Sequence, residues 1–165
     1  AAAGKEVAKK DLALMAVQYG HVYVARVAMG AKDSQTLNAL REAEEYPGPA
    51  LVIAYSHCIA HGYPMHLGLE QQKLAVKTGY WPLFRFDPRK STETESGMKL
   101  DSGAPQPGLE QFMANEARFG ILKNLSPHRA KDLRESAEAH INRRYSWYER
   151  MTVKSPAAET NLPTN

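Results

Sequence analysis

Cysteine is almost absent from the 165 residues: Cys58 stands alone. One thiol excludes an intramolecular disulfide and an all-cysteine metal site built from this chain unaided, and it suits a reducing compartment, the cytoplasm being the default. Long apolar runs are missing too. The longest, Ala50 to Tyr55, is about a third of the roughly 20 residues that a bilayer-spanning helix needs, so a soluble chain without a membrane segment is expected. The opening AAAGKEVAKKD has lysines but no apolar stretch behind them and no initiating Met. It therefore does not read as a secretory signal, and a processed, trimmed or partial chain is expected. No charge of one sign dominates: 21 Lys+Arg against 18 Asp+Glu leave +3, with both signs mixed along the chain, which is not a nucleic-acid signature. What is present, 43% apolar residues in 18.3 kDa, is enough for one ordinary core.

The pattern along the chain predicts alternating helices and strands. Asp11 to Tyr19 reads as a helix opened by Asp11, ended by Gly20 and buried through Leu12, Met15, Val17 and Tyr19. His21 to Met29 follows as a β-branched and aromatic strand interrupted by Arg26. A helix capped by Asp33 or Ser34, with Leu37, Leu40, Ala43 and Glu44 at helical spacing, stops at Tyr46 to Pro49. Ala50 to Tyr55 lacks polar alternation, which predicts a strand buried on both faces as in parallel sheets. Leu67 to Thr78 reads as a helix and Trp81 to Phe86 as a third strand. The order αβαβαβ predicts crossover connections and a three-layer α/β fold around a parallel sheet, whose functional edge lies at the carboxyl ends of the strands. The stretch 88–108, dense in Pro, Ser, Thr and Gly, is expected to be an extended connection between an α/β unit (1–87) and a helical extension (109–153). In the extension, Leu109 to Gly120 is a first helix. A longer one begins at Ser126, with Pro127 in its first position and a stripe of Ala130, Leu133, Ala137, Ile141, Tyr145 and Tyr148. The tail 154–165 is expected to be poorly ordered.

The densest set of potential ligands is YSHCIAHGYPMH, holding His57, Cys58, His61 and His66 just after a predicted buried strand. Three readings of these residues stand open: a mixed Cys/His zinc site, which adjacent His57 and Cys58 fit poorly; a nucleophilic cysteine with a histidine base; or an inert thiol beside surface histidines. Elsewhere, Arg26 either faces a cofactor edge or is a solvated or paired strand-end arginine, the simpler reading. Tyr80, Trp81, Phe84 and Phe86 are either a stacking platform or, more simply, an apolar strand entering the core. His140, Arg143, Arg144 and Arg150 could dock an acidic carrier, but Glu135, Glu138 and Glu149 beside them favour a solvated helix face or subunit contact.

Four segments, KKDLALMAVQYGHVYVARVAMGA, EAEEYPGPALVIAYSHCIAHG, QQKLAVKTGYWPLFRFDPR and LDSGAPQ, resemble in order the C-terminal part of the pyruvate:ferredoxin (flavodoxin) oxidoreductase family. The resemblance covers about Ala1 to Leu122, and the long helix more loosely. It implies the later half of a thiamine-diphosphate-binding domain with a C-terminal extension. It also implies the family's chemistry, oxidative decarboxylation of pyruvate with the acetyl group passed to coenzyme A and electrons leaving singly through 4Fe-4S clusters to ferredoxin or flavodoxin. By that resemblance Cys58 takes the position of the distant fourth thiolate of the cluster nearest thiamine, and His57, His61 and His66 take no ligand role. A homodimeric parent enzyme is implied, with neither a nucleic acid nor a membrane as partner. The Gly-Asp-Gly stretch and Asn-containing loop that hold Mg2+ and diphosphate are not in these residues, nor are three further cysteines, so the chain alone is expected to be inactive. Two alternatives are a stand-alone α/β binding or assembly module without catalysis and, more weakly, an RNA-associated basic domain.

Overall fold

The computed structural model describes residues 6–92 and 94–152; the tail expected at 154–165 lies outside them. Asp11 opens the first helix, α1 (Leu12–Val17), by accepting a hydrogen bond from the Leu14 N–H at 3.2 Å. The chain then builds β1 (Tyr23–Val27), α2 (Asp33–Glu44) and β2 (Ala50–Ala54). Two 3-10 turns, Ile59–His61 and Met65–Leu67, lead into α3 (Gly68–Lys77), and β3 (Phe84–Ser91) and β4 (Ser96–Leu100) follow. The chain closes with α4 (Leu109–Ala114), α5 (Ala117–Leu125) and α6 (Pro127–Thr152).

The fold is α/β, as expected, but the sheet is mixed rather than parallel. Its order is β2-β1-β3-β4; β1 and β2 run parallel, while β3 is antiparallel to both β1 and β4. The cause lies in α3. A crossover helix must press an apolar stripe onto the sheet, but the buried residues of α3 are Gly68, Gln71, Gln72 and Ala75. That face packs on α4 and the neighbouring turn instead, and β3 enters beside β1 from the opposite end. The stretch 88–108, expected as an extended connection, begins inside β3 and contains β4. Gly, Ser and Thr there serve a hairpin rather than a linker.

β-Alternation sends successive side chains to opposite layers. Val24, Phe84 and Phe86 pack with Ala13, Ala16 and Val17 of α1 and with Tyr148 of α6 on one face. Tyr23, Ala25 and Val27 pack against Ala39 of α2 on the other. A third cluster, Ala75, Leu109, Phe112 and Ile141, joins α3, α4 and α6 beyond the sheet. Each fully buried large side chain contributes roughly 1.5–3 kcal/mol.

Three expected buried faces are corrected. In α1, Ala13, Ala16 and Val17 are buried whereas Leu12, Met15 and Tyr19 are exposed: the face that packs on Val24, Phe84 and Phe86 is the one bearing the small side chains. In α2, Gln35 and Ala39 face inward while Leu37 and Leu40 are exposed. Gln35 is drawn in by polar work, donating to Arg26 O (3.2 Å) and Asp101 Oδ2 (3.0 Å) beside the bidentate Arg85–Asp101 pair. β2, expected to be buried on both faces, is half-buried and exposed at both ends because it is an edge strand of this sheet. The α6 stripe does better: Ile141 and Tyr148 are buried within the chain itself. Among the described residues no helix is long and apolar enough to cross a membrane.

Candidate functional site around Cys58

The loops after β1 and β2 leave the same edge of the sheet, the carboxyl end of the parallel pair. The Tyr55 N–H donates to Val27 O at 2.9 Å and so holds the start of the second loop against the end of β1. Trp81 Nε1 donates to the same carbonyl at 3.0 Å. Four residues past β2 comes Cys58, in extended conformation, with an exposed, free thiol.

The backbone around the thiol is tightly bonded. Cys58 O accepts from the His61 N–H at 2.9 Å, Ile59 O from the Gly62 N–H at 3.0 Å, and Gly62 O from the Ala117 N–H of α5 at 3.1 Å. Gly62 sits at φ +76°, and a Cβ there would lie 2.5 Å from Ala117 Cβ, so only glycine closes this turn without strain. Before the thiol, the His57 ring rests on Gly68, where a Cβ would come within 2.6 Å of it. His57 Nδ1 lies 3.0 Å from Gln72 Nε2, and Gln72 Oε1 accepts from the Gly30 N–H at 2.9 Å.

Behind the turn is a buried polar cluster centred on Glu116, which is fully buried. Its Oε1 accepts from Gln71 Nε2 at 2.8 Å, its Oε2 accepts from Arg118 Nε, and His61 Nδ1 stands 4.0 Å from Oε2. Gln71 also donates to Phe112 O (2.9 Å) and accepts from Asn115 Nδ2 (3.0 Å). Burial, reinforced by the Glu116 charge, pushes the Tyr55 and Tyr63 phenols up. Burial first and then Arg118 push His61 down, with Glu116 opposing. The hydroxyls of Tyr55 and Tyr63 and the Nδ1 of His61 are buried without hydrogen-bond partners.

The histidines expected near Cys58 are thus spread over separate tasks: His57 on Gln72, His61 toward Glu116, and His66 exposed in the next turn. Among the described residues no three His, Cys, Asp or Glu side chains gather as a metal-holding group. Arg26 is a paired, buried arginine: Nη1 donates to Tyr148 Oη at 2.8 Å and lies 3.4 Å from Asp11 Oδ2, and its guanidinium covers the Trp81 ring at 4.1 Å. The aromatic group packs inward, Tyr80 on Phe112 and Phe84 on Tyr148. Of the basic run on α6, Arg144 turns inward to Gly79 O and Tyr80 O (2.9 and 2.8 Å), whereas Arg143 and Arg150 are exposed. Sequence reasoning passed over Gln71, Gln72 and Glu116. The one signal available was a pair of adjacent glutamines on a helix that has little else to bury.

The geometry defines an α/β protein with a free thiol on the carboxyl edge of a parallel strand pair. The proteins it is similar to are oxidoreductases by name. The chain is 53% identical over 144 residues to the pyruvate-flavodoxin oxidoreductase of Rhodospirillum rubrum, which takes in 87% of the chain and 12% of that protein. It is 42% identical over 158 residues (96% and 14%) to the probable pyruvate-flavodoxin oxidoreductase of Escherichia coli K12. It is 45% identical over 151 residues (92% and 13%) to the pyruvate:ferredoxin oxidoreductase of Moorella thermoacetica. The chain therefore spans about one-eighth of the length of the curated relatives it matches, and the resemblance read from its segments holds over nearly all of it. No protein-family model matches it.

Proposed function

We propose that the chain is the C-terminal part of the thiamine-diphosphate-binding unit of a cytoplasmic, homodimeric pyruvate:ferredoxin or flavodoxin oxidoreductase, with Cys58 supplying one thiolate to a 4Fe-4S cluster. The observation that carries this reading is the 42–53% identity to enzymes of that name over about nine-tenths of the chain. The residues fit one corner of such a cluster and no more. Cys58 offers a free, exposed thiol of the right softness on a loop bonded to the core at both ends. The other thiolates, the anchor for Mg2+ and diphosphate, and the sites for pyruvate and coenzyme A belong to further polypeptide.

When bound, the cluster supplies one-electron transfer, which fits a ferredoxin or flavodoxin as acceptor. The chain's own share is positional. The parallel pair sets the height of the loop, the Gly62–Ala117 bond joins it to the helical part, and Glu116, held by Gln71 and Arg118, packs behind the turn. The test is Cys58→Ser in the full-length holoenzyme. The expected result is loss of the iron and paramagnetic signal of one cluster and of electron delivery to the acceptor. Unchanged iron content and spectra would overturn the assignment. The 165-residue chain alone, given pyruvate, thiamine diphosphate, Mg2+ and coenzyme A, is expected to show no turnover.

A further inference from the structure

Among the described residues nothing hydrogen-bonds the exposed Cys58 thiol, so the position of its sulfur is decided by what grips the residues on either side. Two consecutive buried glutamines of α3, 2% and 4% exposed, reach in different directions and secure both flanks. Gln72 takes the upstream flank. The Gly30 N–H can only donate, so the amide oxygen of Gln72 must face it and the amide nitrogen must face His57. His57 Nδ1 is then an acceptor with its proton on Nε2, and the ring is fixed in rotation directly before Cys58. Gln71 acts on the downstream flank by holding Glu116 at 2.8 Å, which seats the start of α5, where the adjacent Ala117 N–H donates to Gly62 O; the carboxylate itself stands 4.0 Å from His61 without bonding it.

We propose that Gln72 and Glu116 are positioning residues for the Cys58 sulfur, a role that rests on the reading of Cys58 as a cluster thiolate. Neither touches the sulfur. Each fixes one side of the turn that carries the exposed thiol, so that the thiolate meets its iron on an ordered backbone. Groups that orient a ligand from behind typically change metal affinity or activity 10- to 100-fold when removed. Gln72 also ties the loop after β1 to the loop after β2, so loosening it frees both loops at the sheet's carboxyl edge.

The test uses the full-length holoenzyme with Q72L, E116Q or C58S. Each is compared with the parent by iron content and by paramagnetic resonance of the reduced clusters during a potential titration. Expected is that Q72L and E116Q keep their iron but displace the midpoint potential or line shape of a single cluster, the one C58S abolishes. A chelator should strip that cluster roughly tenfold faster than in the parent. If C58S abolishes one signal while Q72L and E116Q leave that signal and its potential unchanged, the positioning role is wrong and the thiolate reading stands. If C58S leaves every signal intact, the thiolate reading falls and the positioning role with it. A uniform change in all clusters would mark general destabilisation and would also overturn the role. Should Q72L not fold, H57F decides, since it keeps a ring against Gly68 and the Gln72–Gly30 contact and removes only the nitrogen that Gln72 grips.

Discussion

Replacing Tyr148 by Phe isolates the polar pin between the long helix and the sheet, because the ring stays and only the hydroxyl goes. That hydroxyl donates to Asp11 Oδ2 and accepts from Arg26 Nη1 at 2.8 Å, so it couples α1, β1 and α6 in one buried group. Packing on Phe84, at a ring-centroid distance of 5.0 Å, is retained, so no cavity opens. A hydrogen bond to a charged group contributes about 1.5–3 kcal/mol, and two are lost. Arg26 keeps Asp11 at 3.4 Å and the Trp81 face at 4.1 Å, which recovers part of the loss. The expected net destabilisation is about 2 kcal/mol. In a chain of this length it lowers the thermal midpoint by roughly 4–8 °C, at about 2–4 °C per kcal/mol.

Circular dichroism melts of the parent and Y148F measure it. A cycle with Arg26→Met should show a coupling of about 1 kcal/mol or more, since the two side chains touch. The effect should also be flat between neutral and mildly alkaline pH. Burial raises the Tyr148 phenol well above its ordinary range, with Arg26 opposing and the Asp11 bond reinforcing, so the donor stays protonated throughout. A midpoint within about 1 °C of the parent, or additive effects in the cycle, would refute the reasoning, for then the pin contributes no more than a surface contact.

Gly62→Ala forces a β-carbon into positive φ and within 2.5 Å of Ala117 Cβ. It should cost about 2–4 kcal/mol in urea unfolding, and a second change, Ala117→Gly, should return only the steric share. Acid should weaken the fold in two stages. Burial and then Arg144 and Arg143 hold the His140 pKa below its ordinary value, with Asp11 opposing. The unfolded chain therefore binds that proton more readily, and stability falls as pH drops below about 6.5. Asp87 follows lower down. Burial raises its pKa, but the Arg89 bonds outweigh this and leave it below the ordinary value, so the stability it gives is present at neutral pH and lost as pH falls through the lowered pKa. His61, held low by burial and Arg118, adds to the same stage, so His140→Gln should lessen but not abolish the slope of denaturant midpoints from pH 7 to 5, and an unchanged slope would exclude His140 as a source.

The order of elements was legible because the cues are local: Asp11 before an apolar run, Gly20 and Gly79 as stops, Pro127 at a helix start. The direction of β3 was not. Strand direction depends on where the preceding helix packs, and Gln71 and Gln72 turn α3 away from the sheet through bonds to Phe112, Glu116, Gly30 and His57, three of them more than 40 residues distant in sequence. The inward faces of α1 and α2 were misread for a related reason. Hydrophobicity favours Leu12 and Leu37, but a close-packed sheet face takes Ala13 and Ala39, and the Arg85–Asp101 pair needs Gln35. Cys58 stands out in sequence as the lone thiol of a histidine-rich loop, and a cluster role for it is what the family resemblance implies. The groups that grip its turn come from α3 and α5, so no local window could contain them.

The placement of those groups gives the helical part of the chain a reason to exist beyond covering apolar surface. Tyr148 and Arg144 of α6 bond to Asp11, Arg26, Gly79 and Tyr80, which fixes α6 on the sheet. Ile141 of α6 packs with Phe112 of α4, and the α4–α5 corner presents Glu116 and Ala117 to the Cys58 turn. A disturbance at Tyr148 would therefore reach both flanks of the thiol, since the cluster of Ile141 and Phe112 also holds Ala75 of α3, the helix that carries Gln71 and Gln72. The two flanks share α3, which grips the turn from both sides while the Cys58 side chain remains exposed.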